Sequence, residues 1–306
     1  MKGKILKVLR SGNCISGELL SKELGVSRVS IWKNIRSLKE DGYIIEASHK
    51  GYRLISSPDL LLPYEFPERA KRMYHSRELG STMSVAKEWA KKGAEEGTIV
   101  VAESQTQGKG RLGREWLSPR GGIYFTIILR PKISPLFAPR INLMASVAVA
   151  KAIRKKFGLK AELKWPNDVL IKGRKVCGIL SEMEAEMDAV NYVNVGVGIN
   201  VNSTVSQPKR TATSIRDELG REVPRREFLT CVLEEIDKGQ ELLTSDALLE
   251  EWKKLSVTLN REVKIMSLGE ELRGRAIDID TSGALILKGK DGSLRKIIAG
   301  DCIHLR

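Results

Sequence analysis

The sequence has few of the residues that build disulfide frameworks and histidine-based sites. Among its 306 residues are four cysteines, none in C-x-x-C spacing, and three histidines. Scattered cysteines are typical of reduced thiols, so we expect a cytoplasmic protein without disulfides. Three histidines give little support to a His-based metal site or a Ser-His-Asp triad, and no metal-ligating residue is assigned.

The sequence also lacks a long apolar run. No stretch approaches the ~18 apolar residues that span a bilayer, and the N-terminus MKGKILKVLRSGN has no signal-peptide core, so we expect no membrane association. Negative charge is outnumbered as well, because 52 Lys and Arg stand against 38 Asp and Glu, a net charge of +14. This excess favours a polyanionic partner, although solubility or an acidic protein partner would explain it equally.

A glycine-rich loop is the most informative feature that is present. Residues 105–116, QTQGKGRLGREW, interleave three glycines with Lys109, Arg111 and Arg114. Glycine permits close approach of the backbone to a ligand, and the cations offset phosphate or carboxylate charge. A lysine-bearing segment at 164–180, KWPNDVLIKGRKVCGIL, suits the other wall of one pocket. The two segments indicate an enzyme that handles a nucleotide; a solvated basic loop without a ligand is the alternative.

The glycines of this loop spell G-x-G-x-x-G, the dinucleotide-binding fingerprint, in the wrong context. That fingerprint needs a helix directly after the glycines, whereas Pro119 and the pair Gly121-Gly122 follow here. The sequence also contains no G-x-x-x-x-G-K-[ST] element and no kinase-like catalytic set. We therefore exclude a Rossmann domain, a P-loop NTPase and a protein kinase.

The first sixty residues predict a separate winged helix-turn-helix. Three helices are expected, at 4–10, 17–24 and 27–40. Ser16 and Ser27 can cap the second and third helices, which a tight turn at 25–27 joins. Strands at 43–47 and 51–55, connected by 48–50, would form a basic wing.

The third helix of this module carries the side chains that a recognition helix presents to base edges. The expected DNA-binding residues are Ser27, Arg28, Ser30, Lys33, Asn34 and, in the wing, Lys50. Residues 1–60 hold eleven Lys or Arg against six Asp or Glu, a net +5 that suits phosphate contact. A protein-docking module with a solvated basic face is the alternative. Trp32 either packs beneath the wing or lies on the DNA face.

The rest of the chain predicts two further domains of an α+β protein. A polar, proline-containing linker at 56–67 marks the first boundary. The middle region alternates strand-like and helical patterns, which favours a mixed sheet, and five short strands after residue 259 predict a small SH3-like barrel. The expected domains are a winged helix at 1–60, a catalytic core at 70–257 and an SH3-like C-terminal domain at 260–306.

Five segments, which include parts of the two described above, occur in a specific order. They are Gly80-Ser81-Thr82, Gln105 with 108–113, 164–168, 174–180 and 196–200. With the two flanking modules, they resemble the bifunctional biotin protein ligases that are also biotin operon repressors, over essentially the whole chain. The resemblance implies that biotin and ATP, with Mg²⁺, form biotinyl-5′-AMP, which then biotinylates a lysine of a biotin carboxyl carrier protein. It also implies a ligand-promoted homodimer that binds operator DNA and represses biotin genes.

The same resemblance assigns site residues by position. Arg111 and Lys175 would be the catalytic cations, in contact with the reacting carboxylate and phosphate oxygens. The implied biotin-binding residues are Ser81, Thr82, Met83, Gln105, Lys109, Gly110, Arg111 and Lys175. The implied ATP- and adenylate-binding residues are Arg114, Trp116, Asn167, Asp168 and Asn200.

Some of these positions have structural alternatives. Trp116 and Trp165 are equally compatible with core positions, Asn167 with a turn, and Asp168 with a polar anchor. Lys109 stands where the family commonly has arginine, so the guanidinium fork is lost there. Segment 201–217 has the polarity of a loop that orders over adenylate, which in this family couples ligand binding to dimerisation.

Two competing functions follow from the same residues. A lipoate-protein ligase would share the core architecture and the adenylation chemistry. A ligand-sensing transcription factor would keep the DNA-binding module and lack ligase activity.

Overall fold

The chain folds into two compact units, Met1–Lys71 and Arg72–Arg306. The computed structural model describes residues 1–204, 211–267 and 269–305. The boundary between the units lies after the proline-containing segment that the sequence predicts to be a linker. Within that segment, Leu62 is buried in the apolar cluster of the first unit. The segment is therefore part of the first unit's fold and not a free tether.

The first unit consists of three helices and an antiparallel hairpin. Its elements are α1 (Lys2–Leu9), α2 (Gly17–Leu24), α3 (Arg28–Glu40), β1 (Ile44–Ser48) and β2 (Gly51–Ser56). The hydroxyl groups of Ser16 and Ser27 accept hydrogen bonds from the N–H groups of Leu19 and Ser30, which confirms both predicted caps. Gly25 ends α2 in the left-handed region, with φ of 64°.

The hairpin of the first unit is tied to the chain before α2. Ile15 and Tyr52 exchange two backbone hydrogen bonds, of 2.9 and 2.8 Å, a pairing that the sequence did not predict. A Cβ atom on Gly51 would lie 2.2 Å from the Ile15 carbonyl oxygen, so only glycine fits at the start of β2. Ile31 and Leu38 of α3 face the core and are fully buried, which leaves the polar face of α3 outward.

The second unit is built on a mixed seven-stranded sheet. Its strands are β3 (Met73–Ser76), β4 (Ile99–Ala102), β5 (Ile123–Leu129), β6 (Ala161–Lys164), β7 (Asp168–Ile171), β8 (Arg174–Ala185) and β9 (Val190–Ile199). They lie in the order β3-β4-β5-β9-β8-β7-β6, with β3 and β4 parallel and the other neighbours antiparallel. This topology confirms the exclusion of a doubly wound dinucleotide domain.

The described part of the second unit contains five helices. They are α4 (Thr82–Lys91), α5 (Pro139–Phe157), α6 (Ile215–Leu219), α7 (Arg225–Glu241) and α8 (Asp246–Leu255). Of these, α4, α5 and α8 contact strands of the mixed sheet, while α7 packs on α5. The sequence over 228–255 predicts a long helical stretch with polar interruptions. The structure divides it into α7 and α8, because the Ser245 hydroxyl accepts a hydrogen bond from the Ala247 N–H and starts a new helix. Strands β3 and β7 and helix α6 were not predicted; elements this short carry little periodic signal.

Helix α5 corrects one expectation from the sequence. By length and composition, the segment Pro135–Phe157 is apolar enough to cross a membrane, although no such run was expected from the sequence. However, 67% of its apolar window is buried inside the protein, and α5 packs against α7, α8 and β6. That placement is the one expected of a core helix.

The end of the chain forms a five-stranded antiparallel sheet, called here the C-terminal sheet. Its strands are β10 (Glu262–Ser267), β11 (Glu270–Ile279), β12 (Leu285–Lys288), β13 (Leu294–Ile297) and β14 (Asp301–His304). Their order is β13-β12-β11-β10-β14, so β14 is an edge strand. All five strands expected for the SH3-like domain are confirmed. With the first unit and the mixed sheet, they make up the predicted α+β architecture.

A buried arginine connects the C-terminal sheet to the helices. Arg140 of α5 is 2% exposed, and its guanidinium donates to the carbonyl oxygens of Thr281, Leu243 and Ser245 at 2.6, 3.1 and 3.3 Å. Thr281 lies in the turn between β11 and β12, and the other two carbonyls lie between α7 and α8. One side chain therefore donates to acceptors in two connecting segments of the unit, and its removal would take this donor from the Thr281 and Leu243 carbonyls.

We expect Arg140→Met to destabilise the second unit, because it keeps the bulk of the side chain and removes its donors. The loss should be about 3 kcal/mol in the free energy of unfolding, or about 10 °C in Tm for a unit of this size. Thermal unfolding followed by circular dichroism measures it. The control is Lys155→Met in the same helix, an exposed lysine with a Glu235 contact of 3.9 Å, which should change Tm little. Equal effects of the two substitutions would contradict the role given to Arg140.

Candidate active site

The predicted ligand residues converge beside the strands of the mixed sheet. A cavity of about 150 Å³ is lined by the start of α4, the glycine-rich loop and parts of β7, β8 and β9. Its lining includes the predicted residues Ser81, Thr82, Met83, Gln105, Lys109, Gly110, Arg111, Arg114, Trp116, Asn167, Asp168 and Lys175. Asn200 lines an adjoining cavity of about 1040 Å³, which shares Gln105, Trp116, Asp168 and Lys175 with the first. The individual ligand contacts of these residues remain predictions.

Gln105 is held by a network of polar side chains at the base of the smaller cavity. Its Oε1 accepts hydrogen bonds from the Thr82 N–H at 2.8 Å and the Thr82 hydroxyl at 3.1 Å, and its Nε2 donates to Ser118 Oγ at 2.9 Å. Thr126 Oγ1 bonds to Thr82 Oγ1 at 2.9 Å. Ser81 precedes α4, and its side chain makes no capping hydrogen bond to the helix. The cavity thus combines oriented amide and hydroxyl groups with apolar walls, which suits a small amphiphilic ligand.

Trp116 forms a wall of both cavities and packs on two facing glycines. Gly178 of β8 and Gly198 of β9 are cross-strand partners. A Cβ atom at Gly198 would lie 2.3 Å from Trp116 Nε1, and one at Gly178 would lie 2.9 Å from Trp116 Cζ3. The Trp116 Nε1 is buried and has no hydrogen-bond partner among the described residues. Trp116 is therefore a cavity residue with an unused donor, whereas Trp165, 2% exposed, is a core residue.

Lys175 and Asp168 form an ion pair at the junction of the two cavities. The distance from Lys175 Nζ to Asp168 Oδ1 is 2.6 Å, and the ammonium lies 5.2 Å from the centre of the Trp116 ring. Strand β8 holds the lysine at its start, where its backbone also pairs with the segment after residue 210. The Lys175 N–H donates to the Thr211 carbonyl, and the Thr213 N–H donates to the Lys175 carbonyl, both at 2.9 Å.

Arg111 approaches the same place from the glycine-rich loop. Its Nη1 donates to Asn167 Oδ1 at 3.3 Å and to the Gly300 carbonyl at 3.1 Å. Burial lowers the pKa of Arg111, and the carboxylates of Asp301 and Asp168 counter that shift. The guanidinium is thus partly desolvated and faces the Lys175–Asp168 pair.

Two neighbours of Arg111 are fixed in the same region. Arg114 forms an ion pair with Asp301. Asn167 also donates from Nδ2 to the Ile179 carbonyl at 2.7 Å, so it is a cavity residue held by the sheet and not simply a turn residue. Of these partners, the sequence did not indicate the two from the C-terminal sheet, since nothing in their local pattern distinguishes them from turn residues.

Glu218 of α6 is a further residue that the sequence did not reveal. Its side chain is 1% exposed, and it binds Arg174 at 2.5 Å, Lys172 at 3.0 Å and the Thr213 hydroxyl at 2.7 Å. Burial alone raises the pKa of Glu218, but the bonds from Thr213 and Lys172 and the charge of Arg174 outweigh it and lower the pKa. The carboxylate thereby fastens the turn before β8 to the segment that pairs with Lys175.

Asn200 has a similar role from the other side of that segment. Its Nδ2 donates to the Thr213 carbonyl at 3.1 Å, and its carbonyl accepts from the Ile215 N–H at 3.0 Å. In the segment 201–217 that was predicted to order over adenylate, residues 205–210 lie outside the described residues. The described remainder contains the start of α6 and is anchored on Asn200.

On the first unit, the predicted DNA-binding residues divide into two groups. Arg28, Lys33 and Lys50 are exposed. The Ser27 hydroxyl caps α3, and the Asn34 amide donates to the Ser30 carbonyl one turn back, at 2.8 Å, so these polar groups already have partners within the helix.

Trp32 lies on the outward face of α3. It is 52% exposed, and the Arg36 guanidinium lies 5.9 Å from its ring centre. It does not pack beneath the wing, which settles the alternative left open by the sequence. Whether these side chains contact DNA remains a prediction.

Three family models match successive parts of the chain. A helix-turn-helix domain model matches residues 2–53, the biotin/lipoate A/B protein ligase family model matches 76–200, and the biotin protein ligase C-terminal domain model matches 258–305. The bifunctional ligase/repressor BirA of Bacillus subtilis is 37% identical over 305 residues, which cover 94% of this chain and 93% of that protein. BirA of Escherichia coli is 30% identical over 322 residues, covering 99% and 96%.

A solved structure shares the fold of most of the chain. The biotin protein ligase of Aquifex aeolicus in complex with biotin and ATP has a TM-score of 0.66 and 30% sequence identity, and the match covers 77% of this chain and 99% of that one. The fold and the site thus define a ligase core of the biotin/lipoate type joined to a helix-turn-helix unit. The chain belongs to the family of bifunctional ligase/repressors of the BirA type.

A half-buried histidine, His304, supports the segment that carries Asn167 and Asp168. Thr258 Oγ1 accepts the Trp165 N–H at 3.0 Å and bonds to His304 Nε2 at 3.0 Å. Burial lowers the pKa of His304 to about 4, and the nearby positive charges add to the shift. The folded protein therefore holds this imidazole in its neutral form.

We expect this histidine to make the second unit sensitive to acid. The unfolded chain protonates a histidine near its ordinary pKa, while folded His304 stays neutral down to about pH 4, so the unfolded state binds more protons in between. The free energy of unfolding should fall by about 1–2 kcal/mol between about pH 7 and about pH 5. Urea unfolding of the wild type and of His304→Gln at the two pH values measures the difference. An equal loss in both proteins would contradict this assignment.

Proposed function

We propose that this protein is an ATP-dependent ligase that attaches biotin to a biotin carboxyl carrier protein and a biotin-responsive repressor of biotin genes. The observation that carries the ligase half is the convergence of Arg111 from the loop and Lys175 from β8 on one cavity. Two full-length BirA relatives favour biotin over lipoate as the acid. The helix-turn-helix match and the basic outward face of α3 support the repressor half.

The first chemical step is attack of the biotin carboxylate on the α-phosphorus of ATP, which forms biotinyl-5′-AMP and releases pyrophosphate. Because both reactants are anions, positive charge placed where they meet is the main requirement. Arg111 and Lys175 supply it, and partial desolvation of Arg111 strengthens its interaction with an anion. The network around Gln105 and Thr82 offers donors and acceptors to the polar end of biotin.

The second step is attack of the carrier lysine on the mixed anhydride, which forms the amide and releases AMP. Asp168 lies 2.6 Å from Lys175 and borders both cavities, where it can accept a proton from an incoming ammonium group. Trp116 lines both cavities, which supports its contact with the adenylate. Exclusion of water by the loop protects the anhydride from hydrolysis.

Magnesium enters as the complex with ATP, as a part of the substrate. Mg²⁺ is commonly bound by one or two carboxylates together with substrate phosphates. Asp168 is a carboxylate that fits this arrangement. Among residues 1–204, 211–267 and 269–305, no group of three or more His, Cys, Asp or Glu is placed to hold a metal ion by itself.

The repressor half requires two copies of the first unit on DNA. Helix-turn-helix proteins usually bind two half-sites as dimers, so we propose a cytoplasmic homodimer whose formation biotinyl-AMP promotes. The backbone of Lys175 pairs with the segment after residue 210, so a ligand that binds at Lys175 can change the position of that segment. Operator DNA and the carrier protein are then the two macromolecular partners, with no membrane involved.

Mass spectrometry of a purified biotin carboxyl carrier domain tests the ligase half. The carrier is incubated with this protein, MgATP and either biotin or lipoate. We expect the carrier to gain the mass of one biotinyl group with biotin and none with lipoate. Labelling by lipoate alone would assign the chain to the lipoate ligases. No labelling with either acid would point to a ligand sensor without ligase activity.

We expect Lys33→Ala to weaken operator binding and to leave carrier labelling unchanged. A lost base or phosphate contact should cost about 1 kcal/mol or more, about a fivefold loss of affinity. Gel-shift titration of a DNA fragment from upstream of biotin genes, with biotin and MgATP present, measures it. Lys39→Ala, in the last turn of the same helix, is the matched control. Unchanged DNA affinity of Lys33→Ala, or a loss of labelling, would contradict the division of roles.

A further inference from the structure

The glycine-rich loop is attached to the C-terminal sheet by two of its three cations. Arg114 forms an ion pair with Asp301, the first residue of β14. Arg111 donates to the carbonyl of Gly300 at 3.1 Å. The two contacts join residues that are 187 and 189 positions apart in the sequence, at the edge of the cavity. Asp301 also lines that cavity.

The loop has other contacts as well, since Arg111 also donates to Asn167 Oδ1 at 3.3 Å and Trp116 packs on Gly178 and Gly198 of the sheet. The loop backbone closes on itself, because the Gly110 N–H donates to the Arg114 carbonyl at 2.7 Å and the Arg114 N–H donates to the Arg111 carbonyl at 3.2 Å. Leu112 at the tip is 70% exposed and has a φ of 55°, a left-handed conformation that costs a non-glycine residue about 1 kcal/mol or more. A strained, exposed tip needs anchors on either side of it, and Arg111 and Arg114 are those anchors.

The charge arrangement identifies Asp301 as the group on which this anchoring depends. Its carboxylate raises the pKa of Arg111 through its charge while pairing directly with Arg114. Without this carboxylate, the repulsion between the partly desolvated Arg111 and the nearby Arg114 would be offset by less negative charge. The Gly300 carbonyl, one residue earlier, fixes where the Arg111 guanidinium points.

We propose that Asp301 is a positioning residue for the ligase reaction: through Arg114 it holds the glycine-rich loop over the cavity, so the C-terminal sheet completes the active site. This rests on the proposed function. Asp301 need not touch biotin or ATP. Its removal lets the loop open more often, so the adenylate leaves sooner and Arg111 is less often in place for the chemistry.

The size of the effect follows from the exposure of the pair. Arg114 is 65% exposed, so the ion pair is screened by water and salt. Removal of an exposed ion pair of this kind changes the equilibrium constant that it stabilises by about two- to fivefold. We therefore expect a change of about that size in loop opening and not the total loss expected of a group that takes part in the chemistry.

A double-mutant cycle on the full chain tests the proposal. The proteins are the wild type, Asp301→Ala, Arg114→Ala and the double variant, each loaded with biotin and MgATP and then freed of excess ligand. The readouts are the rate at which biotinyl-AMP is released and the KM for biotin in carrier labelling. We expect Asp301→Ala to release the adenylate two- to fivefold faster than the wild type. In the Arg114→Ala background the same substitution should have no further effect, because its partner is already gone.

The matched control is Glu271→Ala in the same sheet. Its carboxylate pairs with Lys264 at 3.2 Å and Arg273 at 2.6 Å, outside the residues that line the cavity. This substitution removes a comparable ion pair and should leave the rate of biotinyl-AMP release and the KM for biotin unchanged. Asp301→Asn, which keeps the shape of the side chain, serves if the alanine variant unfolds, and thermal unfolding of all variants detects a general loss of stability.

Two results would overturn the proposal. One is release from Asp301→Ala and Asp301→Asn at the wild-type rate. The other is an equal effect of the Asp301 substitution with and without Arg114, which would mean that it acts through the stability of the sheet. A wild-type protein that labels no carrier would overturn the proposed function itself, and the role of Asp301 with it.

Discussion

The structure of the second unit depends on holding several positive charges in one partly desolvated cavity. Charges of like sign repel, and a desolvated cation is costly unless it has partners. Each cation meets this demand differently: Lys175 pairs with Asp168, Arg111 donates to an amide and a carbonyl, and Arg114 pairs with Asp301. These partners come from the mixed sheet and from the C-terminal sheet. The cavity therefore requires both sheets to be present and correctly joined, which gives the buried Arg140 its importance far from the site.

Space in this cavity is set by glycines as much as by charges. Gly178 and Gly198 face each other across two antiparallel strands, and the indole of Trp116 occupies the room that their missing side chains leave. Trp116 thereby packs directly on the sheet, and its N–H is buried without a hydrogen-bond partner among the described residues. The short distance between loop and sheet is what brings Arg111 within reach of the Lys175–Asp168 pair.

Much of this could be predicted from the sequence, because the relevant signals are local. Ser16, Ser27 and Gly25 mark helix ends through their own chemistry. The composition of the glycine-rich loop predicts an anionic ligand. Asp301 and Glu218 could not be predicted, since their roles depend on partners that only the folded chain brings near. Short elements such as β7 were missed because four residues carry too little periodicity, and the break before α8 was missed because one serine cap decides it.

The backbone pairing between Lys175 and the segment at 211–213 has a consequence for the genetics of such a protein. Because strand β8 and that segment share hydrogen bonds, and Glu218 fastens both, a change there alters Lys175 and the neighbouring surface together. By contrast, α3 of the first unit and the ligase cavity lie in different compact units. Mutations that alter only the enzyme activity or only the regulation should thus be common in the first unit and rare around β8 and the segment at 211–213.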